Sequence, residues 1–214
     1  SFSYLPVIDN SNNFIGVINI LNRVDEVSLK QNVKDHFQPI SEKVIIGGNS
    51  TIIDFLKNIE KEPFKLVVSK NNVSGFVTFS DIQKIPVRVS IFSLITELEI
   101  AITSFVSKKF KNDKNWMKLL SEGRIEKINL KIDQIKNNDN FVSKIIFTEL
   151  PDKLDIILKL KLLKISAKQQ KKYFEEITKL RNKVAHSSDY ADSLKNCIKT
   201  SKTVNFILKL LNEI

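Results

Sequence analysis

One cysteine, Cys197, and two histidines, His36 and His186, are all that 214 residues contain of either type. A single cysteine forms no internal disulfide, and one Cys with two His gives no cluster of zinc-ligand spacing, so a disulfide scaffold and a zinc module are both excluded. A chain that relies on no disulfide suits a reducing compartment, and the cytoplasm is the expected location. Uninterrupted apolar runs of the ~18 residues that a membrane span needs are lacking too, because Lys breaks even the stretch from Leu154 to Ile165. Nor does the N-terminus show a basic flank followed by an apolar block, so neither a secretory leader nor a membrane partner is expected.

What is present is ordinary for a globular chain: 42% hydrophobic and 27% charged residues, in a length that fits two small domains. The net charge of +10 is unevenly spread. Residues 1–90 carry 10 Lys+Arg against 9 Asp+Glu, whereas residues 91–214 carry 24 against 15. Nearly all the excess therefore belongs to the second part. A basic surface attracts polyanions through phosphate contacts and counterion release, which makes nucleic acid the expected partner class. The same lysines would also serve as the solvated faces of helices.

The first ninety residues contain a repeat. Tyr4–Asp9 and Phe14–Ile20 read as two strands joined by an Asn/Ser turn, and Phe64–Val68 with Val73–Phe79 read the same way. Gly16 and Gly75 hold equivalent places, 59 residues apart. Ahead of the second hairpin come Val44-Ile45-Ile46, a Gly47-Gly48 turn, and a helix capped near Ser50 with Ile52, Ile53, Leu56 and Ile59 facing inward. His36 falls between the repeats and reads as a loop residue. Lys84–Val89 reads as a linker, since Pro86 lacks a backbone donor and biases Ile85 away from helical geometry.

This strand, helix, strand, strand order at a period of about 60 residues resembles a cystathionine-beta-synthase (CBS) domain pair. In the second repeat, Gly75-Phe76-Val77-Thr78-Phe79-Ser80-Asp81 resembles the family's nucleotide-contacting pattern. The resemblance implies an adenine nucleotide as a regulatory ligand at Thr78, Ser80 and Asp81, with Thr78 and the free amides of the following helix facing a phosphate and Asp81 accepting from the ribose hydroxyls. The first repeat has Asn19 and Asn22 where Thr and Asp would stand, so one competent site is expected. Its leading strand and helix are expected to lie upstream of Ser1, and the apolar face left uncovered is one reason to expect a second chain. Without a ligand, Ser80 or Asp81 would simply cap a helix.

Beyond the linker the pattern turns helical. Ile91, Leu94, Ile95, Leu98, Ile102, Phe105 and Val106 make one apolar stripe, with Glu97 and Glu99 off it. Trp116 to Ile135 reads as a second helix, kinked or broken at Gly123, and Asn137–Asn140 as a turn. Phe141–Phe147 reads as helical, and Pro151 opens a helix through Leu154, Ile157, Leu158 and Leu162. Ser166 with Gln169 reads as a capping box for a helix carrying Phe174, Ile177, Leu180 and Val184 on one face. Leu194–Leu211 is the last helix. The expected fold class is α+β, with an α/β part over residues 1–88 and a helical bundle over residues 89–214.

The motif helix ends in Leu180-Arg181-Asn182-Lys183-Val184-Ala185-His186. Residues four apart share a helix face, so Asn182 lies beneath His186, while Arg181 is rotated away by roughly 140° at ~3.6 residues per turn. The stretch resembles the R-N-x-x-x-H signature of the HEPN superfamily, small helical domains that include many metal-independent ribonucleases. The resemblance implies a homodimer with paired motifs, an RNA substrate and a 2′,3′-cyclic phosphate product. Arg181, Asn182 and His186 are the expected catalytic residues, with no cofactor or metal. Cleavage of this kind needs a base for the 2′-hydroxyl, an acid for the leaving 5′-oxygen and positive charge on the phosphorane. Histidine transfers protons near neutrality and Arg forks onto phosphate oxygens. A carboxylate at Glu97 or Glu99 would orient either one. Two other readings stay open: a non-catalytic basic dimerisation or RNA-binding module, and a nucleotide-sensing adaptor. Phage defence, stress response and a toxin role all fit the sequence.

Overall fold

The structure, a computed structural model, describes residues 4–20, 35–70, 72–135 and 143–214. The fold is α+β. In chain order it has β1 (Tyr4–Ile8), β2 (Phe14–Asn19), β3 (Gln38–Pro39), β4 (Ile45–Gly47), α1 (Ile52–Asn58), β5 (Phe64–Ser69) and β6 (Asn72–Thr78). Then come α2 (Ile85–Lys109), α3 (Asp113–Met117), α4 (Glu122–Ile135), α5 (Leu150–Leu160), α6 (Ala167–Ala185) and α7 (Leu194–Leu211). These elements form two compact units, residues 1–87 with 191–201, and residues 88–190 with 202–214. The expectations for Asn22, for Asn137–Asn140 and for Phe141 fall outside the described residues.

The first unit is built from two three-stranded sheets, β1-β2-β3 and β4-β5-β6. Both expected hairpins are antiparallel pairs. The β1–β2 turn is closed by Asp9, whose carboxylate accepts from the Asn13 and Ser11 N–H groups at 2.9 and 2.8 Å. Those bonds, the Asn13 contacts foremost, hold its pKa below the ordinary carboxylate value. β4 runs parallel to β5, as a strand–helix–strand crossover requires. The crossover helix α1 is capped by Thr51, one residue beyond Ser50, in a reciprocal capping box with Asp54. Val17, Phe64 and Leu66 form a buried cluster, with Tyr4, Ile45 and Val73 packed against it. Gly16 is required where it stands, because a Cβ there would meet the Gln38 carbonyl at 2.2 Å and the Phe37 ring at 2.3 Å.

The stretch expected as a linker does hold the division between the two units, but it is helical. α2 starts at Ile85 and takes in Pro86 to Val89. Pro86 lies in the first turn, where the backbone N–H groups have no intrahelical acceptor, so the missing donor costs nothing. Residues 191–201 belong to the first unit. The Ala191 N–H donates to Gln83 Oε1 at 2.9 Å, and the Cys197 thiol donates to the Phe79 carbonyl at 3.4 Å.

In the helical unit, α2 buries Ile91, Leu94, Ile95, Leu98, Ile102 and Val106. Its opposite side is apolar as well: Val89 is 56% exposed, Phe92 42% and Ile100 65%. At ~100° per residue these three lie within about 80° of arc. By length and composition α2 is also apolar enough to cross a membrane. Glu97 and Glu99 break it into shorter runs, which is why no uninterrupted span is visible in the sequence.

The segment read as one helix around Gly123 is two, α3 and α4. The break is at 118–121, because the Ser121 carbonyl receives the Arg124 and Ile125 N–H groups and starts a new helix. Gly123 lies inside the first turn of α4. Lys144–Phe147 is a single 3-10 turn, with the Thr148 hydroxyl donating to the Ile145 carbonyl at 2.6 Å. α4 and α5 are joined by a fork from Arg124 to buried Asp152, which keeps the guanidinium pKa above its ordinary value. α6 is capped by Ser166, whose hydroxyl oxygen accepts from the Gln169 N–H at 3.2 Å. Phe174, Ile177, Leu180 and Val184 on α6 are buried as one stripe.

Candidate functional site

Leu180 and Val184 anchor the last turns of α6 in the core, and the residues between them face outward. Arg181 is half-buried, while Asn182 and His186 are exposed. The Arg181 guanidinium donates to Asn182 Oδ1 at 3.3 Å, so it turns to its neighbour and not across the helix to the imidazole. His186 is the C-cap, with φ −104° and ψ 20°, and its backbone N–H donates to the Asn182 carbonyl at 3.0 Å. Among the described residues its imidazole makes no hydrogen bond, and neither Glu97 nor Glu99 pairs with it or with Arg181. One helix end thus presents an Arg–Asn pair and a solvent-facing imidazole.

The backbone beneath them is tightly held. Ser187 is left-handed at φ 57°, and the Ser188 N–H returns to the Lys183 carbonyl at 3.0 Å, the 6→1 bond of a Schellman end. A serine there bears a Cβ penalty that glycine avoids. Ser187→Gly is therefore expected to raise unfolding free energy by about 0.5–1 kcal/mol, the left-handed cost less the extra unfolded-state freedom of glycine. Urea denaturation checks it. A fall in the midpoint would mean that the Ser187 side chain holds the helix end.

Arg88 supplies the rest. Its Nη1 donates to the Lys183 and Val184 carbonyls at 2.8 and 3.3 Å, and its Nη2 to the Ser188 carbonyl at 3.0 Å. Its Cζ lies 5.0 Å from the centre of the buried Tyr190 ring. A cation at the C-terminal carbonyls meets the negative end of the helix dipole. Reading Arg88 as linker hid this role. The signal was its place in the first turns of α2, where a cation is disfavoured by its own helix and so calls for an anion-like partner elsewhere.

In the first unit, the residues expected at the nucleotide are engaged with one another. Asp81 Oδ2 accepts from the Thr78 N–H at 2.7 Å, Thr78 Oγ1 accepts from the Ser80 N–H at 3.2 Å, and Asp81 Oδ1 pairs with Lys84 at 2.5 Å. This is a capping box for the 3-10 turn Phe79–Gln83. A separate cleft of about 820 Å³ in the same unit is bordered by Tyr4, Asn19, His36, Lys43, Lys61 and Phe64 among others. Thr78, Ser80 and Asp81 do not border it. Cys197 is buried, and burial pushes its thiol pKa up to about 11, which leaves little nucleophilic thiolate at neutral pH. Among the described residues no group of three or more His, Cys, Asp or Glu is placed to hold a metal ion. No family model, no curated protein and no solved structure matches the chain.

Proposed function

We propose that the protein is a metal-independent endoribonuclease that acts as a homodimer, with Arg181, Asn182 and His186 as its catalytic residues. The observation that carries this reading is the exposed imidazole beside an Arg–Asn pair, on a helix end whose backbone is fixed by Arg88. Arg181 would leave Asn182 for a phosphate oxygen, a stronger charge-assisted partner than an amide. His186 would move the proton. One chain offers one such imidazole, whereas transesterification needs both a base and an acid, so a second copy completes the site. The apolar strip Val89, Phe92 and Ile100 on α2 supports a face for that copy. An adenine nucleotide in the first unit is the regulatory part of the proposal. At Thr78, Ser80 and Asp81 it would have to replace the capping box.

The test is to incubate the purified protein with structured RNA in EDTA and to measure its mass in solution. Fragments ending in 2′,3′-cyclic phosphate, made by a species of two chains, are expected. RNA bound but left intact would shift the reading to the non-catalytic module, and a monomer that cleaves would remove the paired site.

A further inference from the structure

The groove between α6 and α7 in the helical unit differs from the other clefts in its chemistry. About 290 Å³ in volume, it is bordered by Gln169, Tyr173, Lys202, Asn205, Phe206 and Lys209, together with Ile165. No acidic side chain among the described residues borders it. The larger groove between α5 and α6 mixes Asp155 and Glu175 with Lys171 and Lys179, and so offers a polyanion no net attraction. In the α6–α7 groove the Tyr173 ring lies on Phe206, centroids 4.1 Å apart and planes 5° from parallel. Phe206 is buried and Tyr173 half-buried, so tyrosine is the outer ring of the pair. Lys202 and Lys209 stand two turns apart on α7, about 10 Å at ~1.5 Å per residue. Lys168 and Lys172, exposed one turn apart on α6, extend the positive charge past the groove.

From this we infer that the α6–α7 groove binds a single-stranded RNA segment, with an unpaired base against Tyr173 and phosphates at Lys209 and Lys202. An outer aromatic ring held rigid by a second ring is a stacking platform, and flanking lysines with no acid between them suit the sugar–phosphate chain. The Gln169 and Asn205 amides carry both donors and acceptors of the kind that read base edges. Tyr173 lies thirteen residues before His186 on α6, about 20 Å along the helix at ~1.5 Å per residue. The inference deepens the nuclease reading by giving RNA a second foothold remote from the reacting phosphate, and it rests on that reading only for what happens after binding.

The experiment measures binding of a fluorescein-labelled 12-nucleotide oligouridylate by anisotropy, in a His186→Ala background so that the probe is not consumed. Tyr173→Leu, which keeps bulk but removes the ring, is expected to raise Kd about 5- to 150-fold, whereas Tyr173→Phe, which keeps the stack, binds like the parent. Lys209→Gln is expected to lower the salt slope of log K by about 0.7. The inference is overturned if the parent binds no oligouridylate, if Tyr173→Leu binds like the parent, or if polyglutamate binds with the same dependence on Tyr173. That last result would mark the groove as an acidic-peptide site. Tyr173-dependent binding in a protein that never cleaves RNA would leave the groove standing and remove the nuclease. Cleavage that requires His186, with binding indifferent to Tyr173, would do the reverse.

Discussion

Under the proposed function, replacing His186 by Ala is expected to lower RNA cleavage by about 10²–10⁴-fold while leaving the protein folded. The loss of rate follows from the chemistry of transesterification. A proton must leave the 2′-hydroxyl and another must reach the 5′-oxygen, and in the proposed dimer this imidazole and its copy in the second chain are the groups that would carry them. The stability follows from its surroundings. His186 is exposed, and the hydrogen bond it gives to the structure is made by its backbone N–H, which alanine retains. A change in unfolding free energy within about ±0.5 kcal/mol is therefore expected. Arg181→Ala should lower the rate comparably, because it removes charge from the phosphorane, whereas Asn182→Ala should do less by freeing the guanidinium. Mixing the His186→Ala and Arg181→Ala proteins adds a second readout. If each site draws from both chains, the mixed dimer recovers part of the activity that neither parent has. Cleavage in EDTA by His186→Ala at the wild-type rate would leave the imidazole without a role.

The elements of this fold are largely legible in the sequence because their signals are local. Alternation with Asn/Ser turns gives both hairpins, and three-and-four spacing gives α2, α6 and α7; the buried faces of α2 and α6 carry the expected residues, except that Phe105 is half-buried. Misreadings arise where two local signals compete. Pro86 reads as a breaker in mid-pattern and as harmless in a first turn, and nothing short of finding Ile85 at the helix start distinguishes the two. Gly123 drew the break toward itself, although the Ser121 carbonyl sets the helix start. The tethering of 191–201 to the 3-10 turn through Gln83 and Cys197 is a pairing more than 100 residues apart in sequence, which periodicity cannot show. The candidate site divides the same way. Arg181, Asn182 and His186 are visible as a spacing on one helix. The clamp from Arg88 joins residues 95 apart in sequence, and the bond from Arg181 to Asn182, though between neighbours, is a side-chain choice that spacing does not set.

Arg88→Ala is the second large effect expected, and it separates holding the site from performing the reaction. The substitution removes three hydrogen bonds from a guanidinium to main-chain carbonyls and its contact with the Tyr190 ring. Charge-assisted bonds contribute about 1.5–3 kcal/mol each when a partner is left buried and unpaired, but here the Lys183 carbonyl keeps the Ser188 N–H and the helix end is open to water. The net loss is accordingly expected to be about 2 kcal/mol in unfolding free energy. Arg88→Lys should recover less than half of it, since one ammonium cannot fork across carbonyls one turn apart. The effect on cleavage has a different origin: an unclamped C-terminal turn lets His186 and Arg181 wander from a productive geometry, for which a misplacement of about 1 Å costs up to 10²-fold. The loss should fall on kcat, with KM nearly unchanged, because the Arg88 guanidinium is turned onto the main-chain carbonyls of the helix end. Faster amide hydrogen exchange at Ser188 should accompany it. A protein that loses the stability yet keeps its kcat would show that the clamp serves the fold alone, and that the imidazole reaches its working position without it.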